Sequence, residues 1–138
     1  MTGSSSDLTR SVDVPLRTIL LVEDEALVRM VTVDALRDLG FRVEEAASAS
    51  EALDKVGVLD GAIEAAIIDV GLPDRRGDAL ALEIRETFAR LPIVIASGYS
   101  DSFLEGLAGD ELVGFLGKPY DSQQLTSVLG RLGVPIGS

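Results

Sequence analysis

The 138-residue sequence contains no cysteine, no histidine and no tryptophan. Without cysteine, disulfides and thiolate metal sites are excluded. Without histidine, the commonest general base and a principal zinc ligand are missing, so neither a Ser-His-Asp hydrolase nor a histidine phosphorelay donor can be built. Lysine is scarce as well: Lys55 and Lys118 are the only two among twelve basic residues. Against these stand 23 acids and a formal net charge of −11, a balance that repels nucleic acid and anionic lipid. No apolar run approaches the roughly 18 residues needed to span a membrane. Met1 to Leu16 has no hydrophobic stretch of signal-peptide type. The expectation is a cytoplasmic protein with no nucleic-acid and no membrane partner.

The remaining pattern is that of one domain. Residues 1–16, with Gly3, Ser4, Ser5, Ser6 and Pro15, read as a disordered tail. Residues 17–132 read as the folded unit and 133–138 as a short C-terminal tail. Thr18 to Val22 and Ala65 to Asp69 are short continuous apolar runs, as expected of strands buried on both faces. Ile93 to Ala96 and Val113 to Leu116 supply two more, and Phe41 to Glu45 alternates as an edge strand does. Between them lie helix-period segments. Ala26 to Leu39 sets Leu27, Val31, Ala35 and Leu39 on one stripe, with Gly40 as a stop signal. Ser48 or Ser50 can cap a helix through Val56, Gly77 to Phe88 aligns Leu80, Ile84 and Phe88, and Asp121 caps a last helix with Leu125, Val128, Leu129 and Leu132 inward. Strand–helix alternation of this kind means an α/β domain with a parallel sheet. The expected fold is taken from a known arrangement that suits this pattern rather than derived from it. It is a flavodoxin-like, doubly wound five-stranded sheet in the order 2-1-3-4-5, with helices on both faces. That order puts the alternating strand at an edge and the first, third and fourth strands in the middle.

Ligands in such sheets bind beyond the carboxyl ends of the strands. There the sequence places Glu23 and Asp24 after the first strand, Asp69 at the end of the third, Ser97 after the fourth and Lys118 after the fifth. After the second there is only Ala46-Ala47. Acids crowded at one rim repel and lose hydration unless a cation compensates. Mg²⁺, which prefers oxygen ligands, fits this donor set, whereas zinc and copper do not. An Asp beside such an ion can attack phosphorus to give an aspartyl phosphate. A Lys ammonium and a Ser hydroxyl can each take a phosphoryl oxygen.

Four segments, Ile19 to Glu25, Ile68 to Asp74, Ala96 to Gly98 and Gly117 to Tyr120, each close a strand and together resemble the signature set of response-regulator receiver domains. The resemblance covers about residues 17–132. It implies Asp69 as phosphoacceptor. It implies Glu23 and Asp24 as the acidic pair for Mg²⁺, joined by Asp69 and the backbone carbonyl of Gly71. It implies Ser97 as the switch hydroxyl and Lys118 as the phosphate-binding lysine. Phe115 matches the switch aromatic, although a plain core residue is the alternative reading. Tyr99 falls one position early for the Phe-Ala-Thr-Gly-x-Tyr subfamily, which Ile93 to Tyr99 also resembles, with Ile95 and Ser97 in place of Phe and Thr. That subfamily implies an atypical helix after the fourth strand and kinases of the HWE type.

Beyond the last helix the sequence offers no output domain, so the resemblance implies signalling by protein–protein contact or onward phosphotransfer. The implied partners are a sensor histidine kinase or phosphotransfer protein and a downstream protein. The protein is expected to be a monomer or weak dimer that catalyses only its own phosphorylation and dephosphorylation. Two alternatives stand beside this reading. One is a pseudo-receiver with a dead site, which the complete set of acids, hydroxyl and lysine opposes. The other is a Mg²⁺-dependent phosphatase with an Asp nucleophile, whose family carries Asp-x-Asp after its first strand rather than its third. Two local expectations follow. The resemblance implies a cis Lys118–Pro119 bond, against the usual preference for trans, in a tight turn that could aim the lysine over the rim. Gly98 to Gly114, with four glycines and one short helix candidate at 101–107, is expected to be the mobile readout segment.

Overall fold

The computed structural model describes residues 17–98, 107 and 109–136. Along the chain, β1 (Thr18–Val22), α1 (Ala26–Asp38), β2 (Arg42–Ala46), α2 (Ala49–Leu59), β3 (Ala65–Asp69), α3 (Gly77–Thr87), β4 (Ile93–Ser97), β5 (Val113–Gly117) and α4 (Ser122–Arg131) follow one another. The five strands form one sheet in the order β2-β1-β3-β4-β5, every pairing parallel. This is the flavodoxin-like order expected. β1, β3 and β4 are central and almost wholly buried, which is why they read as unbroken apolar runs. β2 lies at an edge and is half-buried, which is why it alternates.

The sheet divides the core in two. Leu20, Val22, Ile68, Ile93 and Ile95 point to one face, where Ala49, Ala52 and Val56 of α2 and Leu80, Ala81 and Ile84 of α3 cover them. Ile19, Leu21, Ile67 and Val94 point to the other, against Val33 and Leu36 of α1 and Leu125, Val128 and Leu129 of α4. Alternation along each strand assigns these faces. Packing continues past α4, because Gly133 takes a positive φ of 83° and Val134 turns back into the second cluster. Of the two cap candidates for α2, Ser48 holds the position, its side chain accepting from the Glu51 amide. Asp121 and Gln124 form a reciprocal capping box at α4. No helix among the described residues is long and apolar enough to cross a membrane.

One expected face is corrected. Leu27 and Val31, taken from the spacing as part of the inward stripe of α1, are 72% and 63% exposed, while Thr32, Val33 and Leu36 are buried. The helix carries two apolar stripes, and periodicity alone does not say which the sheet covers. The short helix candidate at 101–107, with Phe103 and Leu104, falls largely on residues outside those described, as does Tyr99. Leu107 is described and is fully buried.

Candidate functional site

Each strand end at the carboxyl rim is fixed by backbone pairing before any side chain matters. The Glu23 amide continues the β1–β2 ladder by donating to the Ala46 carbonyl at 2.9 Å, and the Val70 amide continues β3 onto Ala96 at 2.9 Å. The Lys118 amide donates to the Ser97 carbonyl at 2.7 Å, so the lysine starts from the end of β4 even though it follows β5. The Lys118–Pro119 bond is cis, as expected.

Side chains converge on the space these ends enclose. The Lys118 ammonium donates to Asp69 Oδ1 at 3.1 Å and to Glu23 Oε1 at 3.4 Å, and Glu25 Oε1 lies 3.9 Å away. Glu23, Asp24 and Asp69 each bring a carboxylate oxygen within 4.8 Å of the others. Asp69 and Glu23 are buried, whereas Asp24 is exposed. A Cβ built on Gly71 would lie 3.6 Å from Asp69 Oδ2, which sets the backbone of Gly71 against the same carboxylate. Asp24, Asp69, Gly71, Arg76, Gly98 and Lys118 line a cleft of about 460 Å³. Ser97 is buried at the end of β4, beside the origin of Lys118.

Burial raises the Glu23 carboxyl above its ordinary value. The Glu25 amide, which donates to it at 3.1 Å, works against that rise, Asp69 adds to it, and Lys118 opposes it. Burial alone would lower the Lys118 ammonium, but the hydrogen bond and charge of Asp69, and then Glu23, outweigh it, so the lysine is held above its ordinary value. The cleft thus contains acids that tolerate one another because a cation stands between them. With neither His nor Cys at hand, a hard divalent ion is the external group this donor set fits.

The family described as "Response regulator receiver domain" matches residues 19–130. The chain belongs to that family. Receiver domains are the phosphoacceptor switches of two-component signalling, and this chain is one of them. It is 41% identical over 116 residues to the sensor kinase CckA of Brucella abortus, an alignment that covers 83% of this chain and 12% of that protein. It is 33% identical over 127 residues to the transcriptional regulatory protein PdtaR of Mycobacterium tuberculosis, covering 91% of this chain and 59% of that one. The crystal structure of the receiver domain from the hybrid histidine kinase CckA superposes with a TM-score of 0.70 at 35% identity, covering 83% of this chain and 98% of that one. The receiver domain described here therefore spans less than two thirds of those two full-length relatives.

Around the receiver's cleft lie residues to which the sequence reading gave no role. The Arg29 guanidinium on α1 donates to the Glu23 carbonyl at 2.7 Å and to Glu45 Oε1 at 3.2 Å, fastening the acid-bearing loop to the end of β2. The Tyr120 hydroxyl pairs with the Thr32 hydroxyl at 3.0 Å, tying the turn after Lys118 to α1. Gly77 is a steric requirement: a Cβ there would sit 2.0 Å from the Asp69 carbonyl oxygen. Spacing could have flagged Arg29, six residues beyond Glu23, only by a contact to backbone, which leaves no mark in side-chain patterns. Phe115, whose role the sequence left open, is 38% exposed on β5 and is not an ordinary core residue.

Proposed function

We propose that Asp69 is the phosphoacceptor of this receiver domain. The observation that carries this reading is the Lys118 ammonium suspended between Asp69 and Glu23 beside Asp24, at one rim of the sheet. An oxygen of the Asp69 carboxylate attacks the phosphorus of a phosphohistidine donor. A P–O bond forms, the P–N bond breaks, and the product is an acyl phosphate on Asp69 with the donor imidazole released. Lys118 binds one phosphoryl oxygen as a point charge, and the Ser97 hydroxyl donates to another. Glu23, Asp24, Asp69 and the Gly71 carbonyl are the groups that would hold Mg²⁺, which when bound neutralises charge on the transferring phosphoryl group. The chain acts on its own aspartate and on no separate substrate.

The donor is a sensor histidine kinase or phosphotransfer protein in the cytoplasm. Leu27, Met30 and Val31 are exposed on α1. Leu27 and Val31, with Pro119 and Tyr120, line an apolar hollow that shares Lys118 with the charged cleft. A protein delivering a phosphoryl group to Asp69 must pass this face, and an amphipathic helix suits it. The signal leaves by contact with a downstream protein or by onward phosphotransfer, with Ser97, Phe115 and Tyr99 as the switch residues. The test is labelling with acetyl phosphate followed by mass mapping. Mg²⁺-dependent label on the peptide containing Asp69 is expected, with no turnover of a phosphomonoester. Absence of label in the presence of Mg²⁺ would favour a dead-site interaction module, and steady phosphomonoester turnover would favour a phosphatase.

A further inference from the structure

The stretch from the end of β2 to the start of α2 supplies no candidate ligand, yet both loops of the cleft are fastened to it. Arg29 joins the Glu23 carbonyl to Glu45 at the end of β2. From the other loop, the Asp74 carboxylate accepts the Ala49 amide on one oxygen and the Ser50 amide on the other, each at 2.9 Å. These are the first two amides of α2, which have no partner inside the helix. Ser48 serves a different amide, that of Glu51, at 3.1 Å.

Other ties hold the loop 70–76 at its base and to the helix that follows: its first amide, that of Val70, donates to the Ala96 carbonyl of β4 at 2.9 Å. The Gly77 amide closes its base on the Val70 carbonyl at 2.8 Å, Gly71 and Arg76 form a bridge across it, and Arg75 pairs with Glu83 on the helix that follows. Asp74 reaches 24 and 25 residues back along the chain to another element. We propose that Asp74 is a positioning residue of the phosphoacceptor site: seated on the Ala49 and Ser50 amides, it fixes loop 70–76 so that the backbone of Gly71 stands beside Asp69 before any ion arrives. The inference rests on the reading of Asp69 and Gly71 given above. Asp74 serves by preorganisation, since a donor already in place need not be ordered when the ion binds. The two amides hold its carboxyl below the ordinary Asp value, so the seat is not lost to protonation at neutral pH.

A comparison of Asp74→Ala with Ser48→Ala tests this. Both remove partners from the same helix N-terminus, and both are expected to lower the melting temperature by a few degrees. Only Asp74→Ala is expected to weaken Mg²⁺ affinity, by about three- to tenfold in a calorimetric titration, and to speed hydrogen exchange at amides 71–76 in the metal-free protein. Asp74→Asn, which keeps one acceptor oxygen, should fall between Asp74→Ala and the parent. Equal Mg²⁺ affinity and equal loop exchange in Asp74→Ala and Ser48→Ala would overturn the proposal. A parent protein that binds no Mg²⁺ would overturn the reading of the cleft instead, and the exchange comparison would then decide the role of Asp74 alone.

Discussion

The two rims of the sheet are built from the same kinds of residue and do different things. At the amino rim a groove of about 480 Å³, lined in part by Ile63, Glu64, Phe88, Leu91, Pro92 and Val134, is slightly larger than the charged cleft of about 460 Å³ at the carboxyl rim. Both rims carry ion pairs, and at the amino rim Arg85 and Asp110 pair one to one at 2.8 Å with side chains 14% and 20% exposed. Also there, Arg17 and Glu64 meet at 3.4 Å with side chains 46% and 38% exposed, so water screens them and the pair adds little. At the carboxyl rim, Lys118 meets Asp69 and Glu23 with the acids only 8% and 3% exposed. Those charges cannot relax into solvent, and their pairing is correspondingly stiff. Cavity size does not mark the functional end of this molecule. What marks it is two buried acids sharing a single lysine.

That contrast can be broken most severely at Asp69. Asp69→Asn keeps the shape and removes the carboxylate proposed to attack phosphorus, so Mg²⁺-dependent labelling by acetyl phosphate should vanish. Phe88→Ala at the amino rim, where the ring is half-buried, should cost about 1–3 kcal/mol of stability and leave the labelling rate per folded molecule unchanged. Equal losses of labelling in the two variants would erase the distinction between the rims. Next in size is Gly77→Ala. Its Cβ would meet the Asp69 carbonyl oxygen at 2.0 Å and the Ile68 side chain at 2.9 Å, so the backbone of Asp69 has to move. A stability loss of about 1–3 kcal/mol or more by denaturant titration is expected, with labelling slowed at least tenfold.

Lys118→Ala should act more selectively. Removing a cation that competes for Asp69 and Glu23 leaves Mg²⁺ affinity equal or raised, while the response to phosphorylation weakens because one phosphoryl oxygen loses its partner. Much weaker Mg²⁺ binding in calorimetry would contradict the role given to the lysine. Smallest is Leu27→Ser on the exposed stripe of α1. Stability should shift by no more than about 0.5 kcal/mol. Phosphotransfer from a kinase should fall several-fold, and labelling by acetyl phosphate should not change. A parallel fall in both reactions would place Leu27 in the chemistry rather than in docking.

The rim positions of Glu23, Asp24, Asp69, Ser97 and Lys118 were legible because each closes or follows a strand, and strands buried on both faces leave short unbroken apolar runs. The face of α1 was not legible, because Leu27 and Val31 form as good a helical stripe as Val33 and Leu36 do. Choosing between them needs the position of the sheet. Asp74 and Arg29 escaped for another reason: what they bind is backbone, the Ala49 and Ser50 amides in one case and the Glu23 carbonyl in the other. Residue identity at the receiving end carries no signal there. Gly77 was read only as the start of a helix, and its closeness to the Asp69 carbonyl depends on how the loop 70–76 closes in three dimensions.

The exposed Leu27, Met30 and Val31 also bear on how copies of this protein treat one another in a crowded solution. Three neighbouring apolar side chains on one helix are adhesive, yet every copy carries a net charge of −11. At about 0.1 M salt the screening length is about 10 Å, long enough for that charge to keep adhesive faces apart, and near 1 M it shrinks to about 3 Å. The same face is therefore expected to bring copies together more readily in concentrated salt than at ordinary ionic strength, which light scattering across a salt series would read. A cationic or neutral partner surface, by contrast, meets no such barrier at any salt concentration.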